Sequence, residues 1–401
     1  MDAAVIAADA LTILVADDNR LTVKLLDQLG QRLGHRVFTA YDGDEAAAIL
    51  ASEHIDILIT DLSMPGRDGL DLVRSVRAQQ DDRYTYVIMI TQHREDEHLS
   101  KGRAAGVDDF LVKPIDFAEL NARLSVAERI ITMTHALSAQ KREIEQMNRR
   151  MREELQAAAQ VQQSLLPKEL PDIPGWRFAW RVSPCEELAG DSVGILHLDE
   201  HHVACYVFDV TGHGVTAALL STQVSRYLHA AALRASLGTG SGSLTDPAAL
   251  MRELNGQFPL RANAPQMIAI SYIIIDTRDG SATWTSAGNP APFLIDADGA
   301  RAREPRVHLF VGARPECDCF NRDIQFEPNT RCYLMSDGIS ETWHNDHGAF
   351  GDDRITDHLD ANRTEALDAS IDSLITATDR YSSSHIPADD RAVLAIQRLV
   401  D

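Results

Sequence analysis

The chain has 401 residues, 44% of them apolar, and a formal net charge of −22. That length accommodates two or three domains and that apolar share supplies their cores, which excludes wholesale disorder. The acidic balance opposes contact with nucleic acid or an anionic membrane; it serves solubility, and it also leaves acids free to act as metal ligands.

The N-terminal residues lack a basic region followed by an apolar core and a cleavage site, so no signal peptide is expected. No apolar run approaches the roughly 20 residues that span a bilayer. These features predict a cytoplasmic protein without membrane or nucleic-acid partners. The five cysteines (Cys185, Cys205, Cys317, Cys319 and Cys332) have the spacing of neither a disulfide framework nor a four-ligand zinc site. Cys317-Asp318-Cys319 reads as a surface loop with two reduced thiols.

Residues 11–124 alternate short apolar runs with helical patterns. LTILVA, HRVFTA, IDILITD, YVIMIT and DDFLVKP read as strands, separated by helices of the LTVKLLDQLGQRLG and GLDLVRSVRA kind. This alternation predicts an α/β doubly wound domain with a parallel five-stranded sheet, whose ligand site lies at the carboxyl ends of the strands. Asp17 and Asp18 end the first strand, Asp61 the third, Thr91 the fourth and Lys113 the fifth. Clustered carboxylates are costly unless a cation neutralises them, and oxygen ligands favour Mg²⁺. The set reads as a carboxylate that accepts a phosphoryl group, with a metal and a lysine holding its oxygens.

LVADDNR, TDLSMPGRDG, MITQ and DDFLVKP together resemble the receiver domain of bacterial two-component response regulators, over all of 11–124. The resemblance implies Asp61 as phosphoacceptor, phosphorylated by a cognate histidine kinase. It implies Asp18 as the main Mg²⁺ ligand, with Asp17 beside it and the Ser63 backbone carbonyl. Thr91 and Lys113 would sense the phosphate, and Phe110 would be the aromatic that repositions on activation.

Residues 125–166 form a different kind of segment. Neither proline nor glycine occurs between Pro114 and Pro167. Apolar residues recur every seven positions at Ile130, Leu137, Ile144, Met151, Ala158 and Leu165, with Met133, Met147 and Val161 three residues after some of them. Polar Gln140 and Glu154 interrupt the second row. The pattern predicts a long coiled-coil linker helix that makes a homodimer; one long helix packed on a neighbouring domain is the alternative.

Prolines 167, 171 and 174 end the helix, and from Trp176 the pattern turns β-rich with inserted helices, which suggests an α+β sandwich over 167–401. SLGTGSGSLTDP (236–247) lacks the Gly-Lys-Ser/Thr ending of a P-loop. Asp191, Asp209, Asp337 and Asp389 or Asp390 each stand at a strand boundary. Four such carboxylates suit a two-metal site, in which two divalent ions hold a bridging water and make it a nucleophile for in-line attack on phosphorus.

AAAQVQQSLLP, LAGDSVGI, VFDVTGHGVTAALLS, SAGNPAPFLI, LMSDGISE and PADDRAVLAI, in that order, resemble the SpoIIE-like branch of the metal-dependent (PPM) serine/threonine protein phosphatases, whose fold is an α-β-β-α sandwich. The resemblance implies two Mn²⁺ or Mg²⁺ ions, with Asp209 as bridging ligand, the Val210 carbonyl on one ion, and Asp191, Asp337 and Asp389 or Asp390 completing the shells. It implies a phosphorylated anti-sigma-factor antagonist as substrate in a partner-switching pathway. A non-catalytic adaptor for a sigma or anti-sigma factor is the alternative, although such domains usually lose metal aspartates. Three features depart from the pattern: SVGI after AGD, Asn289 where the branch commonly has histidine, and His344 and His347 in the segment after SDG, read as a solvated loop. His213, between two glycines, reads as a capping or packing residue.

Overall fold

The computed structural model describes residues 10–78, 84–92, 96–237, 242–260, 266–296, 299–300, 309–384 and 387–400. It folds as two compact units, 1–149 and 150–401.

In the first unit, β1 (Thr12–Ala16), β2 (Arg36–Ala40), β3 (Ile57–Asp61), β4 (Tyr86–Thr91) and β5 (Asp109–Val112) form a sheet of order β2-β1-β3-β4-β5. Every pairing is parallel. Between the strands lie α1 (Arg20–Arg32), α2 (Gly43–Ser52), α3 (Gly69–Ala78) and α4 (Asp96–Ala105). Strand residues alternate between two buried faces, which is why these strands read as unbroken apolar runs. Ile13, Val15, Ile57, Ile59, Ile88 and Ile90 pack against Val23 and Leu26 of α1. Leu14, Leu58, Val87 and Met89 pack on the other side against Ala46, Leu72 and Val73 of α2 and α3.

A single helix, α5 (Phe117–Gln163), follows. Its first turns bury Leu120, Leu124, Ala127 and Ile131 at helical spacing in the core of the first unit. The sequence places a boundary at 124/125, but the helix runs through it without a break, in keeping with the absence of proline and glycine. Farther along, Met133, Leu137, Ile144, Met147, Met151 and Val161 are exposed.

The second unit is a four-layer α-β-β-α sandwich. Its strands and helices in chain order are β6 (Trp176–Ser183), β7 (Ser192–His197), β8 (His202–Val210), α6 (Val215–Ser236), α7 (Pro247–Gln257), β9 (Ile268–Asp276), β10 (Ser281–Ala287), β11 (Phe293–Asp296), β12 (Gly299–Ala300), β13 (Arg322–Gln325) and β14 (Arg331–Met335). They continue with α8 (Asp337–Ser340), β15 (Trp343–His344), β16 (Gly348–Ala349), α9 (Gly351–Ala361), α10 (Leu367–Tyr381) and β17 (Arg391–Arg398). One antiparallel sheet has the order β13-β10-β9-β8-β7 and the other β12-β11-β14-β17-β6. Period-two alternation assigns each side chain to a layer. Val203, Cys205 and Val207 of β8 meet Leu334, Leu394 and Ile396 between the sheets. Ala204, Tyr206 and Phe208 face Val224, Leu228, Leu250 and Met251 of α6 and α7. On the far side, Tyr333, Met335, Val393 and Ala395 pack on Ile355, Leu359, Ile371 and Leu374 of α9 and α10.

Several local expectations are corrected. The Cys317 and Cys319 sulfurs are joined as a disulfide rather than standing as two reduced thiols. The segment read as a solvated loop at 344–348 is a small β15–β16 hairpin, in which the His344 and His347 rings stack at 4.5 Å. His213 caps no helix: Gly214 is the α6 N-cap, and the His213 ring pairs with Glu186 at 2.9 Å. In the Gly/Ser-rich stretch, 242–245 form a 3-10 turn and 238–241 lie outside the described residues. Among the described residues, no helix is long and apolar enough to cross a membrane.

Candidate functional site

Two acidic sites arise, one in each unit. In the first, β1 and β3 are neighbours in a parallel sheet, so their carboxyl ends coincide. Asp17, Asp18 and Asp61 offer carboxylate oxygens within 4.8 Å of one another. Asp17 is fully buried and Asp18 is exposed, so the cluster opens to solvent on one side. One Asp17 oxygen accepts the Asn19 N–H at 2.8 Å, and Lys113 Nζ lies 2.9 Å from the other. The same Nζ is 3.3 Å from an Asp61 oxygen. Burial raises the Asp61 carboxyl above the ordinary carboxylate range, opposed by the Lys113 charge. Burial works to lower the Lys113 amine, but its hydrogen bond to Asp17 and the charge of Asp61 prevail and raise it.

Thr91 is buried at the end of β4, and its carbonyl accepts the Lys113 N–H at 2.9 Å, which sets β4 and β5 in register beside Asp61. Ser63 is exposed two residues beyond Asp61. The Phe110 ring rests against Gly102 of α4, where a Cβ would come within 2.6 Å of it.

In the second unit the acids come from both sheets. The register Ser192↔Phe208 continues one step to set Asp191 opposite Asp209. The pairing of Met335 with Val393 likewise brings the ends of β14 and β17 together, with Asp337 after one and Asp389 and Asp390 before the other. Ser336 links the two sheets: its hydroxyl donates to an Asp191 oxygen at 2.6 Å and accepts the Ala392 N–H at 2.9 Å.

Asp191 and Asp209 are both buried and lie close enough to act on each other directly. Burial raises the Asp191 carboxyl well above its ordinary range, and the charge of Asp209 adds to this. Asp209 is pushed up to about 7 by burial and by the neighbouring Asp337, Asp389 and Asp390 charges. Crowded buried carboxylates raise one another in this way, and a bound cation would relieve them.

The two adjacent acids separate by role. Asp390 is buried, and its two oxygens accept the Cys185 N–H at 2.7 Å and the Gly190 N–H at 2.5 Å. Asp389 is open to solvent on one side, with its carboxyl partly enclosed, beside a cleft of about 760 Å³ lined by Trp343, Asn345, Asp379 and Ser382–Ser384. Its carboxyl is raised by burial and by Asp337 and Asp390. A side chain on Gly190 would meet the Val210 carbonyl at 2.7 Å and the Gly212 carbonyl at 3.3 Å, so glycine is required there. Carbonyl and carboxylate oxygens make up this set, which fits hard divalent cations. Asn289 stays out of this convergence: it is fully buried and donates to the Val207 carbonyl at 3.2 Å.

Sequence reasoning missed two residues here. One is Ser336, whose position before the SDG aspartate is the only signal it leaves. The other is Gln162 at the end of α5, whose amide donates to the Ala189 carbonyl at 2.5 Å while its oxygen accepts the Ala189 N–H at 3.1 Å. That clamp sits two residues before Asp191.

The family model described as Stage II sporulation protein E (SpoIIE) matches residues 199–399, and that of the response regulator receiver domain matches 13–125. The chain belongs to both families. It is a response regulator with a SpoIIE-type phosphatase output domain. It is 31% identical over 263 residues to a protein named Regulator of RpoS from Escherichia coli K12, covering 62% of this chain and 75% of that one. It is 36% identical over 117 residues to the two-component response regulator PhoP of Pseudomonas aeruginosa, covering 29% of this chain and 51% of that one. Among solved structures, the SiaA-PP2C domain of Pseudomonas aeruginosa superimposes with a TM-score of 0.54 at 20% identity, covering 63% of this chain and 98% of that one. This likeness places the second unit in the PP2C fold.

Proposed function

We propose that phosphorylation of Asp61 by a histidine kinase controls a metal-dependent serine/threonine protein phosphatase in this chain. The observation that carries the reading is the mutual electrostatic interaction of Asp191, Asp209, Asp337, Asp389 and Asp390 at the ends of two sheets, with Asp191 next to Gly190 and its neighbouring Val210 carbonyl. Two divalent ions bound there would supply an activated water and neutralise the phosphate oxygens. Asp209, with Asp191, Asp337, Asp389 and the Val210 carbonyl, would hold them. Asp390 is the positioning residue, fixing the 185–190 loop by its backbone amides. The open polar cleft beside Asp389 suits a loop of a phosphoprotein, and we assign the substrate to the phosphorylated anti-sigma-factor antagonists of partner-switching pathways.

At the first site, Asp61 attacks the phosphoryl group of the kinase phosphohistidine, and an acyl phosphate forms as the histidine leaves. Asp17, Asp18 and the Ser63 carbonyl would hold Mg²⁺, while Lys113 and Thr91 hold phosphoryl oxygens. The exposed apolar seam from Met133 to Val161 would pair with a second copy of α5, and Gln162 would pass a change in that pairing to the Ala189–Asp191 loop.

The test is Mn²⁺-dependent hydrolysis of a small phosphate ester by the full chain and by Asp209→Asn. Turnover in the first and at least about 100-fold less in the second supports the enzyme, since losing even an outer-shell partner of a metal costs 10–100-fold. A second reading, a non-catalytic adaptor, is favoured by the relative named for regulating RpoS rather than for hydrolysis. An adaptor keeps its biological effect in Asp209→Asn; an enzyme loses it.

A further inference from the structure

At the amino end of β3, away from the phosphoacceptor, lies a third cluster that neither activity uses. His54 Nε2 is 3.2 Å from an oxygen of Asp56, and His135 Nε2 is 3.8 Å from the same oxygen. The three ligand atoms all lie within 4.8 Å of one another. Asp56 is held on several sides. Its second oxygen accepts the Thr12 N–H at 2.8 Å, its own N–H donates to the Thr12 carbonyl, and its carbonyl accepts the Tyr86 N–H, both at 2.8 Å. The carboxylate is therefore fixed by β1 and β4, with one oxygen directed at the two imidazoles. His135 stands on α5 one turn after the fully buried Ile131, so the helix cannot shift without carrying that ring. Its Nε2 is sealed from solvent and has no hydrogen-bond partner.

We propose that His54, Asp56 and His135 bind a transition-metal ion of the Zn²⁺ class. Ligands at 2.0–2.1 Å in a tetrahedron stand about 3.3 Å apart, close to the two separations observed. The sealed His135 nitrogen gains a partner, and the Thr12 amide on the far Asp56 oxygen orients the carboxylate as outer-shell bonds do in metal sites. A His₂Asp set differs in kind from the oxygen-only sites elsewhere in the chain: imidazole selects Zn²⁺, Ni²⁺ or Cu²⁺ over Mg²⁺. The fourth position is left to water. The ion ties the start of the linker helix to the base of the sheet, about 16 Å along β3 from Asp61 at 3.3 Å per residue. Zinc would thereby set how firmly α5 is held where it leaves the receiver core.

The test uses the full chain in saturating Mg²⁺, titrated with Co²⁺ and followed by visible absorption, with Zn²⁺ as competitor. Four-coordinate Co²⁺ absorbs far more strongly than six-coordinate Co²⁺ on oxygen ligands, so this site is read separately from the acidic ones. One equivalent of four-coordinate Co²⁺, displaced by Zn²⁺, is expected in the wild type and in Asp61→Asn and Asp209→Asn. Affinity falls at least about 100-fold in His135→Asn and in His54→Gln. The His54 and His135 rings are 31% and 41% exposed, so both variants remain folded, and circular dichroism verifies this. The proposal is overturned by a folded wild type with no four-coordinate band, or by a band that persists unchanged in His54→Gln.

Discussion

The two acidic sites solve the same electrostatic problem differently. In the receiver, Lys113 already lies between Asp17 and Asp61, at 2.9 and 3.3 Å. In the phosphatase unit, burial and neighbouring acids instead raise the Asp191 and Asp209 carboxyls. A site with a resident lysine needs one further cation and can respond to a phosphoryl group by moving that lysine. A site whose carboxyls raise one another would gain from added counter-charge. The receiver cluster is thus built to switch, and the phosphatase cluster to be loaded.

Substituting one acid or one base should separate the two sites most sharply. Asp191→Asn removes one of two crowded buried carboxyls, and the Asn oxygen can still accept from Ser336. Turnover should fall at least about 100-fold through lost metal affinity. The metal-free protein should gain roughly 1 kcal/mol, a few degrees in the melt of this unit. Lys113→Ala does the opposite in the receiver. It leaves two carboxylates without their cation and should destabilise the metal-free unit by roughly 1–3 kcal/mol, partly restored by Mg²⁺. If both substitutions shift the melt in the same direction, the contrast between the sites is wrong.

Much of this contrast was legible in the sequence, for a physical reason. Strands buried on both faces, such as HVACYVFDV, announce themselves as apolar runs, and an aspartate at the end of such a run has little structural excuse. What the sequence could not convey depends on contacts between distant segments. Asp389 and Asp390 are identical in type and adjacent, and only the amides of Cys185 and Gly190 distinguish them. Gln162 is one glutamine among several in AAAQVQQSLLP until Ala189 is seen against it. The helix α9 leaves little trace in the sequence: Ile355 and Leu359 stand four apart on its buried face, but the acidic GDDRITDHLDA masks so short an apolar stripe.

Gln162→Ala tests the link between the two units' chemistries. Gating by the receiver, expected at about 5–150-fold for an ordinary allosteric coupling, should fall below that range while basal metal affinity is retained. Unchanged gating would mean that the signal reaches Asp191 by another route.

The smallest expected effect is in pH. Asp191 and Asp209 are raised above their unfolded values, Asp209 to about 7, so the folded protein binds protons more tightly than the unfolded chain. Their contribution to metal-free stability is full below the ordinary carboxylate range and is lost as pH rises towards about 7. Mn²⁺ competes with protons for these carboxylates, so its stabilising effect should grow from about pH 6 to about pH 8 in thermal melts. An equal Mn²⁺ shift at both values would contradict raised carboxyls at this site.

The most direct measurement is Mn²⁺-dependent turnover of the full chain with and without beryllofluoride, a phosphoryl mimic, using Asp61→Asn as the control. The account predicts turnover that changes several-fold with the mimic in the wild type and not at all in Asp61→Asn. Turnover indifferent to the mimic, or changed equally in Asp61→Asn, would contradict a receiver that governs the phosphatase.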